Sequence, residues 1–217
     1  MSVNINYLEE PRNGNMAEQV QNYVNQNDPC GQIVFYGPSN FTRWSEAYGN
    51  PNLRQSVLGA SGAECCINRG FGSSTSEHQL FYYEKMVRAI KPNVLVYFFF
   101  ANHRMYGYSD EEAWEIAQRV IAFTRVDFPE CELYICSPYR MKNRGANGSE
   151  ARNEIMCSAI KTFCDLTPKC HYVDLYHEPT LQSDDIFIED GVHYNAEGYA
   201  RYADFWKGAL RDELAKF

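Results

Sequence analysis

The sequence predicts an α/β protein in which five parallel strands lie between two layers of helices, a three-layer α/β/α sandwich. Three observations carry this expectation. Short apolar runs alternate with longer amphipathic stretches along the 217 residues. The run NVLVYFFFA at 93–101 is apolar throughout, as a central strand buried on both faces requires. The stretches between runs can hold crossover helices, which parallel pairing demands and which turn right-handed.

Each element follows from its local pattern. Residues 15–26 read as a helix with Met16, Val20, Tyr23 and Val24 on one face. Residues 32–36 form a first apolar strand, and residues 65–68 a second, reached through a loop rich in Gly, Ala and Ser. Ser76-Glu77-His78-Gln79 has the form of a capping box. It opens a helix with the stripe Leu80, Tyr83, Val87 and Ile90, which stops before Pro92. The run at 93–101 is the third strand. Ser109-Asp110-Glu111-Glu112 is a second capping box, and Ala113, Ile116, Val120 and Phe123 carry that helix toward Pro129. Residues 132–136 form the fourth strand, followed by a polar loop at 137–148. The helix at 149–163 has Ile155, Ala159 and Phe163 as its expected inner side, and residues 171–175 form the fifth strand. Asn195 caps the last helix, whose apolar residues Tyr199, Ala203, Trp206, Leu210 and Leu214 recur at helical spacing.

Composition narrows the function classes. A chain of this length that is 45% hydrophobic and 15% aromatic can bury a sizeable core. It reads as one domain over 1–217, with residues 1–29 as an N-terminal extension and helix packed on it. A net charge of −8 and a pI near 5.2 disfavour nucleic acid or an anionic membrane as partner. No run approaches the roughly 18 apolar residues of a membrane span. The first fifteen residues are polar and carry Glu9 and Glu10, unlike a signal peptide, so the expected location is cytoplasmic. Eight cysteines include no CxxC pair and no zinc-knuckle spacing. They are expected as reduced thiols packed like small hydrophobes, with neither metal nor organic cofactor in the protein.

The chemistry concentrates at two distant points. Asp190-Gly191-Val192-His193 places a carboxylate and an imidazole three residues apart on a tight turn, where they can touch. Such a pair is the base and its orienting group in a nucleophilic triad. Far upstream, Val34-Phe35-Tyr36-Gly37-Pro38-Ser39 reads as a buried strand running into a turn that presents a hydroxyl. In a parallel α/β sheet the reactive crevice lies at the C-terminal strand ends. Ser39 follows strand one, Ser73 strand two, Asn102 strand three, and Asp190 and His193 come after strand five. All five are expected at one edge.

These residues resemble the SGNH hydrolases, the GDSL-like lipase and acylhydrolase superfamily, across roughly residues 30–215. FYGPSNFTRW resembles the family's first block, NRGFGSST its second, FFFANH its third and IEDGVHYNAEGY its last. The resemblance implies a flavodoxin-like fold and a triad of Ser39, Asp190 and His193. It also implies an oxyanion hole formed by the backbone N–H groups of Ser39 and Ser73 and the side-chain amide of Asn102. Four positions depart from the family pattern. Pro38 replaces the usual Asp, Ser73 stands where the family has a glycine, and Phe100 and His103 flank Asn102 in place of a glycine and an acidic residue.

The expected activity is hydrolysis of a carboxylic ester through an acyl-enzyme. A small-molecule or glycan ester is the expected substrate, with Phe100 favouring a short acyl group such as acetyl. Transfer of the acyl group to a sugar hydroxyl, or ligand binding by a non-catalytic descendant, are the alternative readings. Phe100, His103 and Trp44 are the candidate pocket residues, and Tyr106 is a further aromatic for sugar stacking. His78 and His177 are expected to be solvated. The basic loop with Arg140, Lys142 and Arg144 reads as a solvated loop or, beyond strand four, as a lid or a handle for an anionic substrate.

Overall fold

The computed structural model describes residues 16–143 and 148–217. Strands β1 (Ile33–Gly37), β2 (Cys66–Gly70), β3 (Val94–Tyr97), β4 (Glu132–Cys136) and β5 (Cys170–Val173) form one sheet in the order β2-β1-β3-β4-β5. Every pairing is parallel, with Ile33 opposite both Cys66 and Val94. The helices are α1 (Met16–Asn25), α2 (Ser39–Thr42), α3 (Leu53–Ser56), α4 (Ser76–Met86), α5 (Asp110–Asp127), α6 (Glu150–Leu166), α7 (Ala196–Ala209) and α8 (Arg211–Leu214). This is the α/β/α sandwich that the alternation of runs implies.

All five residues of β1 are buried, because the central strand is covered on both sides. Successive side chains of a strand point to opposite faces, and β1 uses both. Phe35 meets Trp44 and Trp206 of α7 at ring distances of 6.0 Å and 5.1 Å. Tyr36 turns the other way, against Tyr97, and its hydroxyl donates to the Gln79 carbonyl of α4 at 2.6 Å. On that second face Trp114 of α5 stands edge-on to Phe163 of α6. No helix of the described residues is long and apolar enough to cross a membrane.

Several local readings shift. The capping box of α4 starts one residue earlier, with Thr75 as the cap and the His78 ring closing the box. The inner face of α5 is Ala113, Ala117, Val120, Ile121 and Thr124, while Phe123 is exposed. In α6 the buried residues are Asn153, Met156, Cys157, Ile160 and Cys164, and Ile155 is 66% exposed. The face is rotated by about one residue, roughly 100°, because cysteine and methionine carry the packing there. Strand β3 stops at Tyr97, and Phe98 to Phe100 run on, buried, toward the sheet edge. All eight cysteines are free thiols, and only Cys30 is exposed.

Candidate active site

The site begins with a close approach. Gly37 and Gly70 are paired across β1 and β2. A Cβ on Gly37 would come within 2.8 Å of the Phe98 carbonyl oxygen, and one on Gly70 would strike the backbone nitrogen of Thr42. Both positions therefore need glycine, and their absent side chains let α2 sit directly on the strand ends. Ser39 is the first residue of α2, where a helix leaves its N–H groups without intrahelical partners. Asn68 of β2 ties the turn down by donating to the Phe41 carbonyl at 2.6 Å.

The second half is built within four residues. Gly191 adopts φ +65°, a left-handed conformation that folds the segment back on itself. The Asp190 carboxylate then accepts from the backbone N–H groups of Val192 and His193 at 2.8 Å and 2.9 Å. Its other oxygen lies 2.6 Å from His193 Nδ1. The Tyr139 hydroxyl donates to the Val192 carbonyl at 2.8 Å, and the Tyr199 hydroxyl of α7 to the Asn40 carbonyl at 2.9 Å. The first bond holds the late segment to the loop after β4, and the second docks α7 against α2. As a result His193 Nε2 lies 2.8 Å from Ser39 Oγ, across 154 positions of sequence.

Protonation suits this arrangement. Burial lowers the His193 pKa below the ordinary histidine value, helped by the charge of Arg43 and opposed by Asp190. Burial would raise Asp190, but the His193 ring and the two backbone donors outweigh it and hold the carboxyl below its usual range. The ring is thus neutral near pH 7, with Nδ1–H donated to Asp190 and Nε2 accepting from the hydroxyl. A hydroxyl held in this way can lose its proton to the ring as it attacks.

Ser39 and His193 open on a cavity of about 590 Å³, which Ser73, Phe100, Asn102 and His103 also border. Ser73 and Asn102 both have left-handed backbones, at φ +61° and +62°. The Asn102 side-chain nitrogen donates to the Ser74 carbonyl at 3.1 Å, which orients the amide and leaves its second N–H. The N–H of neighbouring Gly72 is engaged by Gln19 at 2.8 Å. The Phe100 ring is nearly buried, against His103 at 4.7 Å. A larger hollow of about 780 Å³, bordered by Tyr176 and His177, holds none of the three in-line side chains.

No protein-family model matches the sequence, and no curated protein matches it significantly. Solved structures do match. A GDSL-like lipase from Bacteroides thetaiotaomicron superposes with a TM-score of 0.73 at 16% identity, covering 92% of this chain and 98% of that one. A family 3 carbohydrate esterase from Clostridium thermocellum gives 0.65 at 15% identity, over 86% and 98%. A catalytic mutant of Axe2, an acetylxylan esterase from Geobacillus stearothermophilus, gives 0.62 at 13%, over 83% and 94%. The chain shares the α/β/α fold of these proteins.

Within this fold, five of the expected residues gather at the strand ends, namely Ser39, Ser73, Asn102, Asp190 and His193. Trp44 does not join them. It is fully buried on the opposite side of α2, 5.1 Å from the Tyr202 ring. His103 does border the cavity but is tied up, with Nε2 2.8 Å from Asp110. His78 is fully buried, not solvated, because it closes the cap of α4. His177 is exposed as expected, yet paired with Asp174 and Glu154, each at 3.0 Å, and those carboxylates raise its pKa.

Together with Asp174 and His177, Cys157 makes the group of metal-ligand type among the described residues, with donor atoms within 4.8 Å of one another. The two carboxylates already account for His177, and burial pushes the Cys157 thiol up to about 11. Of the basic loop, Arg140 pairs with Asp184 at 2.8 Å and Lys142 is exposed, while Arg144 lies outside the described residues. Several cavity residues escaped the sequence reading, among them Tyr48, Arg104 and Arg43, the last four positions after Ser39 and so on the same side of the helical turn.

Proposed function

We propose that this protein is a carboxylic ester hydrolase that works through a Ser39–His193–Asp190 triad and an acyl-enzyme. The observation that carries the reading is the unbroken chain of contacts from hydroxyl to imidazole to carboxylate, at 2.8 Å and 2.6 Å. Ser39 Oγ attacks the ester carbonyl as its proton passes to His193 Nε2. Asp190 holds the tautomer and stabilises the imidazolium that forms. The oxyanion is held by the backbone N–H groups of Ser39 and Ser73 and by the Asn102 amide, where negative charge develops. Collapse of the intermediate passes the proton to the departing alcohol. Water then attacks the acyl-enzyme by the same route, which restores the hydroxyl. A non-catalytic binding protein would have no use for a serine hydrogen-bonded to a neutral, carboxylate-anchored ring.

Phe100 narrows the acyl side, so acetyl is the favoured acyl group and an acetylated carbohydrate the favoured substrate class. The acetylxylan and carbohydrate esterases among the structural relatives support that direction. The chain works as one domain, with the N-terminal helix α1 contributing Met16 and Val20 to the common core.

The test is hydrolysis of p-nitrophenyl acetate, butyrate and octanoate, with labelling by a covalent serine probe. Wild type is expected to prefer acetate and to be labelled. Ser39→Ala is expected to lose both activity and label, with turnover down by roughly 10⁴–10⁶ and an unchanged circular dichroism spectrum. Wild-type turnover in that variant would refute the triad. A preference for octanoate would refute the acetyl reading, whereas a broadened range in Phe100→Gly would support it.

A further inference from the structure

The cavity beside Ser39 has a charge pattern opposite to that of the whole protein. The chain carries 28 acidic residues against 20 basic ones. Yet among the described residues no aspartate or glutamate borders this cavity, while Arg43 and Arg104 both do. A cavity that presents arginines and excludes carboxylates in an acidic protein suits a negative ligand.

The two arginines differ in how far they are already neutralised. Arg104 makes a two-pronged bond to Asp110, at 3.0 Å and 2.9 Å, and that carboxylate is almost buried. Its donors are thereby committed, to a carboxylate that Arg152 shares at 2.9 Å. Arg43 lies over the Tyr48 ring at 5.3 Å, and its nearest carboxylate is Asp190 at 4.0 Å, the outer limit of an ion pair. Asp190 is itself engaged by His193 and two backbone N–H groups. The Arg43 side chain is 31% exposed, so its fork of donors is held by Tyr48 and remains open on the cavity side.

Position assigns this charge to one half of the substrate. In a triad reaction the ring that deprotonates the serine later protonates the leaving alcohol, so the alcohol lies beside His193. The oxyanion donors and Phe100 take the acyl side. Arg43 borders the cavity and lies 4.0 Å from Asp190, the partner of His193, and so belongs with the half of the site that receives the alcohol.

Building on the esterase reading above, we propose that Arg43 forms an anion subsite and that the natural substrate is an ester whose alcohol portion carries an oxyanion, a carboxylate or a phosphate. Guanidinium binds either group through paired charge-assisted hydrogen bonds. An acyl ester on an acidic sugar has this chemistry, and the exposed Tyr48 ring beside Arg43 offers a face for the sugar.

The experiment compares three aryl acetates and one aryl succinate. These are 3-acetoxybenzoate, its neutral methyl ester, 3-acetoxyphenyl phosphate, and monophenyl succinate, which carries its charge on the acyl side. Wild type is expected to favour 3-acetoxybenzoate, the phosphate or both over the methyl ester by on the order of tenfold in kcat/KM, mainly through KM. Which of the two anions is preferred identifies the oxyanion. In Arg43→Gln the ratio is expected to fall to about one, and in Arg43→Lys to keep part of its value. Using a ratio on a single variant cancels any effect of the substitution on the triad. A wild-type ratio of one or less, a ratio that survives Arg43→Gln, or a preference for monophenyl succinate would overturn the proposal.

Binding of the product, 3-hydroxybenzoate against methyl 3-hydroxybenzoate, is read by calorimetry without any turnover. Discrimination that Arg43→Gln abolishes supports the subsite even if no ester is cleaved, and equal binding overturns it. Failure of every ester, the neutral one included, would instead count against the hydrolase reading.

Discussion

His193 and His103 border the same cavity, and each ring is held by an aspartate, at 2.6 Å and 2.8 Å. Burial lowers both pKa values, so both rings are neutral near pH 7. The difference lies in what surrounds each pair. Asp190 takes its remaining bonds from its own turn, and the second nitrogen of its histidine faces the Ser39 hydroxyl. Asp110 is also bound by Arg104 and Arg152, and the second nitrogen of His103 meets no hydrogen-bond partner. An imidazole–carboxylate pair is therefore not a base by virtue of its own geometry. It becomes one when a hydroxyl stands on its far side and the pair is not anchored elsewhere.

The sharpest way to break this comparison is to remove each ring in turn. His193→Gln is expected to lower turnover by about 10⁴ or more. His103→Gln is expected to leave it within about tenfold and instead to lower unfolding stability by about 1–3 kcal/mol, because Asp110 loses a buried partner. Steady-state kinetics and denaturant unfolding on both variants would separate the two rings. Equal kinetic losses would erase the distinction.

Next in size is the oxyanion donor. Asn102→Ala is expected to reduce kcat by about 10²–10³ with little change in KM, as for a group that acts where charge develops. A change confined to KM would make Asn102 a ground-state contact.

A smaller effect tests the protonation argument. His193 must be neutral to accept the serine proton, so kcat/KM should fall as pH drops through its pKa, by about tenfold per unit below it. Since burial and Arg43 lower that pKa, the midpoint of the acid limb should lie below the ordinary histidine value of 6.5. A pH–rate profile with a midpoint above 6.5 would contradict the burial argument.

The smallest effect concerns backbone shape. Ser73 holds φ +61°, which glycine adopts freely and a β-branched residue resists. Ser73→Gly should keep turnover within about threefold, since it keeps the N–H. Ser73→Val should cost about 1–3 kcal/mol of stability, read as a lowered melting temperature.

The comparison also separates what was legible in the sequence from what was not. The Asp190–His193 pair could be read because its geometry is local: three residues, one glycine and two backbone bonds define it. Its link to Ser39 could be read because parallel sheets bring strand ends together. Trp44 was misplaced because a helical turn carries the residue five positions after Ser39 to the opposite side, under the sheet, where Phe35 and Tyr202 enclose it. Arg43, one position earlier, faces the cavity, and its spacing of four from Ser39 was the available signal. The inner faces of α5 and α6 differ from the expected stripes at Phe123 and Ile155, which are exposed, while the smaller Ala117, Thr124, Cys157 and Cys164 are buried. His103 borders the cavity as expected, but its bond to Asp110 was not legible. His78 differs for another reason: its partner, the Thr75 cap, comes from a folding detail that a polar side chain does not announce.

The 154 positions between Ser39 and His193 also order events in time. At a synthesis rate of about 5–20 residues per second, a nascent chain carries its hydroxyl for roughly ten to thirty seconds before its proton acceptor has been made. Tyr199, made later still, supplies the bond to Asn40 that ties α7 to α2. Under the proposed mechanism a growing polypeptide lacks its base until residue 193 has been added and these two distant segments have met.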